Sequence, residues 1–268
     1  MSSPDALPLP PLPRGPTANV LGHRMELHDF AADRYVSVPL ARHGVIEPFE
    51  TELVINEVRP GDTVIDLGAH IGYYTLLLAR LVGPSGRVIA FEPDPANFEL
   101  LQRNVEGNGY RNVTLCPLAV SDRCGRAQLY RSADNAGDHR LHASPEARAS
   151  VLVETVSLDH FFRDYAGRVD LVKMDVQGSE GAALEGMRGL LSRLPRLKLL
   201  TEFWPAGLAR AGWSAARYLG QLQGHGFRLY ALHEERPGLW RVSADQLLRD
   251  FPPDQECFAN LYCVKALL

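Results

Sequence analysis

The segment TVIDLGAHIG at 63–72 constrains the fold more than any other stretch of the chain. A short β-branched, apolar run with an acid near its end gives way to two glycines with three residues between them, and an amphipathic stretch follows. This is the pattern of a buried strand turning into a helix. The pattern then repeats. Strands are expected at 63–67, 87–91, 113–120, 169–176, 197–203, 227–232 and 257–265, with helices at 50–58, 71–81, 95–106, 179–194 and 214–223 between them. Apolar runs alternating with amphipathic stretches predict an α/β protein with a mostly parallel, doubly wound sheet.

Length and composition agree with one such domain. The 268 residues suffice for a substantial core, and 22% charged residues with 46% hydrophobic ones exclude a disordered or membrane-spanning chain. A net charge of -4 gives no general reason to hold a polyanion, so nucleic acid is not the expected partner. No apolar run approaches the roughly 20 residues that cross a bilayer. Cys116, Cys124, Cys257 and Cys263 show neither a CxxC pair nor zinc-finger spacing, which predicts free thiols in a reducing, cytoplasmic location.

Three regions follow from the pattern. Residues 1–16 are Pro- and Leu-rich (PDALPLPPLPRGP at 4–16) and read as a disordered tail or docking arm without the features of a signal peptide. Residues 17–59 read as an N-terminal cap, and 60–268 as the main domain. The alternation breaks at 121–157, an insertion with two strands, 127–131 and 151–156, around a long polar loop of the length that often carries function.

The ends of the first two strands hold the first candidate site. Gly68 and Gly72 remove side chains where a ligand can lie against backbone N–H groups at a helix start. Their spacing departs from the G-x-G-x-x-G dinucleotide fingerprint. Asp66 would repel a diphosphate but can order the turn and accept from an ammonium group, which points to the methionine part of S-adenosylmethionine; a purely structural turn is the alternative. Glu92, twenty residues after Gly72 at the neighbouring strand end, can accept both ribose hydroxyls.

Six motifs in order, DLGAHIGYYT, FEPDPANFELLQRNV, LAVSD, NAGDHRL, LVKMDVQGSE and TEFWPAGL, resemble FkbM-family methyltransferases from about Gly44 to the C-terminus. The resemblance implies the class I methyltransferase fold, a Rossmann-like three-layer sandwich with a seven-stranded sheet whose last strand is antiparallel. It also implies S-adenosyl-L-methionine as the methyl donor, held by Asp66, Gly68, Ala69, His70, Gly72 and Glu92, with Ala119 and Val120 beside the adenine. The chain departs from the family at His70, often Asn there, and at Gln177, often Glu; the second change removes a carboxylate and weakens any metal site.

An in-line methyl transfer to a hydroxyl benefits from a general base. Asp175, at the end of the fourth parallel strand, is the first candidate; capping of the next helix is its alternative role. Glu202, at the end of the fifth, can share the acceptor pocket. His139 is a second candidate base with Asp138 as its orienting partner, and the pair with Asp175 is a weaker candidate for a divalent cation, so no metal is assigned. Lys173 is expected to reach solvent or pair with an acid, and Trp204 to be a packing wall or a cation-facing ring. The leading reading is O-methylation of a sugar, glycan or natural-product hydroxyl. N-methylation, a nicotinamide-dependent oxidoreductase on the same sheet and a non-catalytic binding protein are the alternatives, and the oligomeric state, a homo-oligomer included, is left open.

Overall fold

The computed structural model describes residues 16–143, 148–233 and 237–265. All of the Pro-rich tail except Pro16 therefore lies outside the described residues. The N-terminal elements are β1 (Thr17–Val20), β2 (His23–Glu26), α1 (Ser37–His43) and α2 (Pro48–Glu57). There follow β3 (Thr63–Leu67), α3 (Tyr73–Val82), β4 (Arg87–Phe91), α4 (Pro95–Gly107) and β5 (Val113–Cys116). The inserted region holds β6 (Ala119–Val120), β7 (Gly125–Tyr130), β8 (Ser150–Val156) and α5 (Leu158–Phe161). The C-terminal part holds β9 (Leu171–Met174), α6 (Glu180–Glu185), α7 (Arg188–Arg193), β10 (Lys198–Phe203), α8 (Pro205–Arg210), α9 (Ala215–Gly224), β11 (Phe227–Leu232), β12 (Leu239–Arg241), α10 (Ala244–Asp250) and β13 (Ala259–Lys265).

The main sheet runs β12-β11-β13-β10-β9-β3-β4-β5. Neighbours from β10 through β5 are parallel, and β13 lies antiparallel between β10 and β11. Seven of these strands have the order and the single reversed strand of a class I methyltransferase. The eighth corrects the expected count: β12 pairs antiparallel with the edge strand β11. All three of its residues are exposed, so it carries no alternation that would reveal it.

Alternation across the pleat builds the three layers. Ile65, Leu67, Val172, Met174, Leu199 and Phe203 face one core with α6, α7 and α9, whereas Val64, Val88, Ala90, Leu171 and Leu200 face the other with α2, α3 and α4. The N-terminal segment is not a separate layer. Val20, Met25, Leu27 and Leu40 belong to the second core, and the Asn104 side chain stitches the hairpin to α4, accepting from Glu26 N at 2.6 Å and donating to Glu26 O at 3.0 Å.

Two expected elements are interrupted. The strand expected at 113–120 breaks at Pro117, which lacks an N–H; β5 stays in the main sheet, and β6 joins β7 and β8 in a small sheet of order β6-β8-β7. The helix expected at 179–194 divides at Gly186. A Cβ there would meet Ser121 O at 2.0 Å, Asp159 N donates to the Gly186 carbonyl at 2.8 Å, and the Asp159 carboxylate accepts from Gly189 N and Leu190 N to start α7. Tertiary contacts override the helical periodicity.

Candidate functional site

The carboxyl ends of β3, β4 and β9 meet around one cavity. Gly68 and Ala69 each donate their N–H to Phe91 O at 3.0 Å, tying the turn after β3 to β4. Gly68 adopts φ +80, and a Cβ on it would lie 1.9 Å from Asp175 O, so glycine is required by both conformation and space. His70 also has positive φ, at 51°. Its N–H donates to Glu92 Oε2 at 2.8 Å, while Asp94 N donates to Glu92 Oε1 at 2.8 Å. Burial pushes the Glu92 carboxyl up to about 7 against the pull of these hydrogen bonds.

The cavity holds about 520 Å³ of empty space, counting its open mouth. Gly68, His70 and Glu92 line one side, Ala119, Val120, Leu129 and Leu141 give an apolar wall, and Asp175 and Gln177 close the end towards β9. The other expected donor residues do not line it. Asp66 is buried beneath the turn, where its Oδ2 accepts from Thr75 Oγ1 at 2.6 Å and burial raises it to about 6. Ala69 acts through its backbone, and Gly72 is the N-cap of α3, packed so that a Cβ would meet Leu101 Cδ1 at 2.9 Å.

A bound nucleoside amino acid suits this lining in two ways. The His70 Nε2 atom is buried without a hydrogen-bond partner, 4.0 Å from Asp33 Oδ2, and burial holds the imidazole neutral, down at about 4. Glu92 is a buried acid at the cavity wall whose orientation is set by two backbone donors, leaving lone pairs for a ligand's hydroxyls.

At the β9 end, Asp175 is one-third exposed; its Oδ1 accepts from Gln177 Nε2 at 2.7 Å and its Oδ2 is 3.7 Å from Lys173 Nζ. It does not cap the following helix: α6 starts after Ser179 with no side-chain cap hydrogen bond, and Glu180 Oε1 takes the Val176 and Gly178 N–H groups of the preceding turn. Lys173 is 5% exposed, 3.1 Å from Glu50 Oε1 and 4.4 Å over the Tyr74 ring, so of its two expected roles it pairs with an acid. Glu202 is not in the cavity lining. Its Oε2 is buried without a hydrogen bond, and burial, then Asp175 and Glu180, drive the carboxyl well above its usual range. Glu47, in an uncommon left-handed conformation, adds a further acid: it accepts from Tyr74 OH at 3.0 Å and is pushed up to about 8 by burial and by Glu50. Nothing in the Glu47 sequence context signals this, since the signal is three-dimensional.

The inserted loop supplies the remaining wall. His139 lines the cavity, its Nδ1 accepting from Ser132 N at 3.2 Å and its Nε2 facing Asp94 Oδ2 at 3.9 Å; burial lowers its pKa. Asp138 does not orient it, contrary to expectation. The Asp138 carboxylate is occupied by Arg140, through Nε at 2.5 Å and Nη2 at 3.0 Å, and by Arg148 at 2.7 Å. Arg140 lies 4.6 Å above Trp204, which packs against Gly207, so Trp204 anchors the loop and faces a protein cation. Asn97 also lines the cavity and was not anticipated; its place three residues after the Asp94 N-cap on α4 was the available signal. Among the described residues, no three His, Cys, Asp or Glu side chains are placed to hold a metal ion.

The sequence profile described as the Methyltransferase FkbM domain matches residues 66–229, more than half of the chain. The 31-O-demethyl-FK506 methyltransferase FkbM of Streptomyces tacrolimicus is 29% identical over 219 residues, covering 71% of this chain and 77% of that protein. Methyltransferase 1 of Beauveria bassiana is 29% identical over 151 residues, covering 48% and 59% respectively. Among solved structures, an S-adenosylmethionine-dependent O-methyltransferase from Thermotoga maritima aligns over 83% of this chain and 66% of its own, at 17% identity and a TM-score of 0.44.

Proposed function

The chain belongs to the FkbM methyltransferase family and is an S-adenosylmethionine-dependent methyltransferase; from that premise we propose that it methylates a hydroxyl on a sugar, glycan or natural-product acceptor. Membership sets aside the oxidoreductase and scaffold readings. The observation that carries the assignment of the site is the single cavity onto which Gly68, Glu92, Ala119 and Asp175 converge from four separate elements.

In this reading, Glu92 accepts the ribose hydroxyls, the Gly68–His70 turn and the His70 imidazole hold the amino-acid part, and Ala119 and Val120 flank the adenine. Asp66, Ala69 and Gly72 serve the same site from behind by shaping the turn. When bound, the donor supplies a methyl group already activated by its sulfonium charge. Asp175 orients the acceptor hydroxyl and takes its proton, with the Lys173 ammonium 3.7 Å from its Oδ2. His139, on the inserted-loop wall of the same cavity, positions the acceptor, whereas Glu202, outside the lining, interacts with Asp175 through charge. The Streptomyces relative is named for an O-demethylated acceptor, 31-O-demethyl-FK506, which supports a hydroxyl oxygen as the methyl acceptor here. No helix among the described residues is long and apolar enough to cross a membrane. The four cysteines are free, which supports a reducing, cytoplasmic setting.

Two measurements test the proposal. Calorimetry should show S-adenosylhomocysteine binding that Glu92→Ala weakens by at least tenfold; equal affinity would remove Glu92 from the site. Asp175→Asn should lower turnover by about 10²- to 10⁴-fold while donor affinity stays within a factor of three. A variant with wild-type turnover would place the base elsewhere.

A further inference from the structure

We infer that Asn97 is a positioning residue through which His28, outside the cavity, sets the shape of the donor pocket. The inference rests on the reading of that cavity as the donor site. Asn97 is 2% exposed, and its side-chain amide has a partner on each polar atom. Its Oδ1 is 2.6 Å from His28 Nε2. Its Nδ2 donates to Ala136 O at 3.0 Å and makes a longer contact, 3.5 Å, with Glu92 Oε1. One amide thus joins three segments distant in sequence: the stretch after β2, the end of β4 and the inserted loop.

The amide can face only one way. Ala136 offers a carbonyl and Glu92 a carboxyl oxygen, so the NH₂ group must point at them, which leaves Oδ1 directed at His28 and requires an N–H on His28 Nε2. His28 is itself fixed. Its backbone N–H donates to Ser37 Oγ at 3.2 Å, and its ring packs 5.8 Å from that of His70. Without the His28 N–H, Asn97 Oδ1 is left as a buried acceptor with no partner. The amide then gains by tilting or turning, and either motion takes Nδ2 away from Ala136, which lines the cavity with Gly137, and from Glu92. Loosening the His28 end should therefore be felt by a ligand that His28 does not line up against.

The test is a double-mutant cycle read by calorimetric titration with S-adenosylhomocysteine, with thermal unfolding followed in parallel. His28→Ala should weaken binding about three- to tenfold and Asn97→Ala about tenfold. In the Asn97→Ala background, His28→Ala should have no further effect, because the route is already cut. His28→Gln, which restores an N–H donor, should recover affinity to within a factor of two. A role confined to stability would instead lower the unfolding temperature and leave the affinity of the folded protein unchanged. Wild-type affinity in His28→Ala, or losses that multiply in the double variant, would overturn the inference. Should Asn97→Ala fail to fold, the contrast between His28→Ala and His28→Gln decides alone. Glu92→Ala is the control that separates the two levels: unchanged affinity there would sink the donor site itself, whereas a loss there with none in His28→Ala would remove only the coupling.

Discussion

Asp66 lies beneath the turn after β3, outside the lining of the cavity. Its carboxyl is buried, bonded to Thr75 and raised to about 6, so between its unfolded value near 4 and that folded value the native state holds a proton that the unfolded chain has released. The wild-type protein therefore loses stability through this group as pH rises from about 4 to 6, and the loss persists above that. Asp66→Asn keeps an oxygen for Thr75 and carries no charge. Its stability relative to wild type should rise by up to about 3 kcal/mol between pH 4 and pH 7, measured by urea unfolding at a series of pH values; a constant difference would show that Asp66 ionises freely. Asp66 and Glu92 were both visible in the sequence because acids at strand ends stand out against apolar runs. What the letters cannot tell is direction: Asp66 turns inward and Glu92 lines the cavity, and Asp138 chooses Arg140 and Arg148 over the adjacent His139.

At the scale of elements, the sequence was most legible where one residue type settles the geometry. The strands β3, β4, β9, β10 and β11 and the helices α3, α4 and α9 lie close to their expected positions, since continuous apolar runs and amphipathic periods have few other solutions. The breaks were legible in part: Pro117 announces one, whereas the division between α6 and α7 comes from Gly186 lying against Ser121, a contact between segments 65 residues apart. Gly186→Ala should thus destabilise the protein by about 3 kcal/mol or more, as a Cβ there has to displace a backbone carbonyl. A chemical-denaturation midpoint equal to wild type would mean that this junction is loose. The short elements α1, α8, α10 and β12 lacked sufficient length for a period to show, and all four take their place from neighbours.

At the scale of the whole molecule, the N-terminal segment expected as a cap shares its apolar surface with the rest of the chain. Val20, Met25, Leu27 and Leu40 are in the same core as Leu76, Leu77 and Leu101, so the second core is incomplete without the N-terminal segment. Removing residues 1–36 should expose that surface and lower the unfolding temperature by more than about 5 °C, since even two lost buried side chains of this kind are worth about 3 kcal/mol or more. Circular dichroism melting checks this, and an unchanged midpoint would show that the segment adds little to the core. The same segment brings His28, Asp33 and Glu47 to the functional edge, none of which belongs to the stretch matched by the family profile.

The central claim is that the open edge between β3 and β4 holds the methyl donor by its ribose. A crystal structure with S-adenosylhomocysteine tests it most directly. The expected result is electron density in the cavity bounded by Gly68, Ala119 and Asp175, with both ribose hydroxyls within about 3 Å of the Glu92 carboxylate. Density for the nucleoside at another edge of the sheet, or in this cavity with its ribose turned away from Glu92, would contradict it.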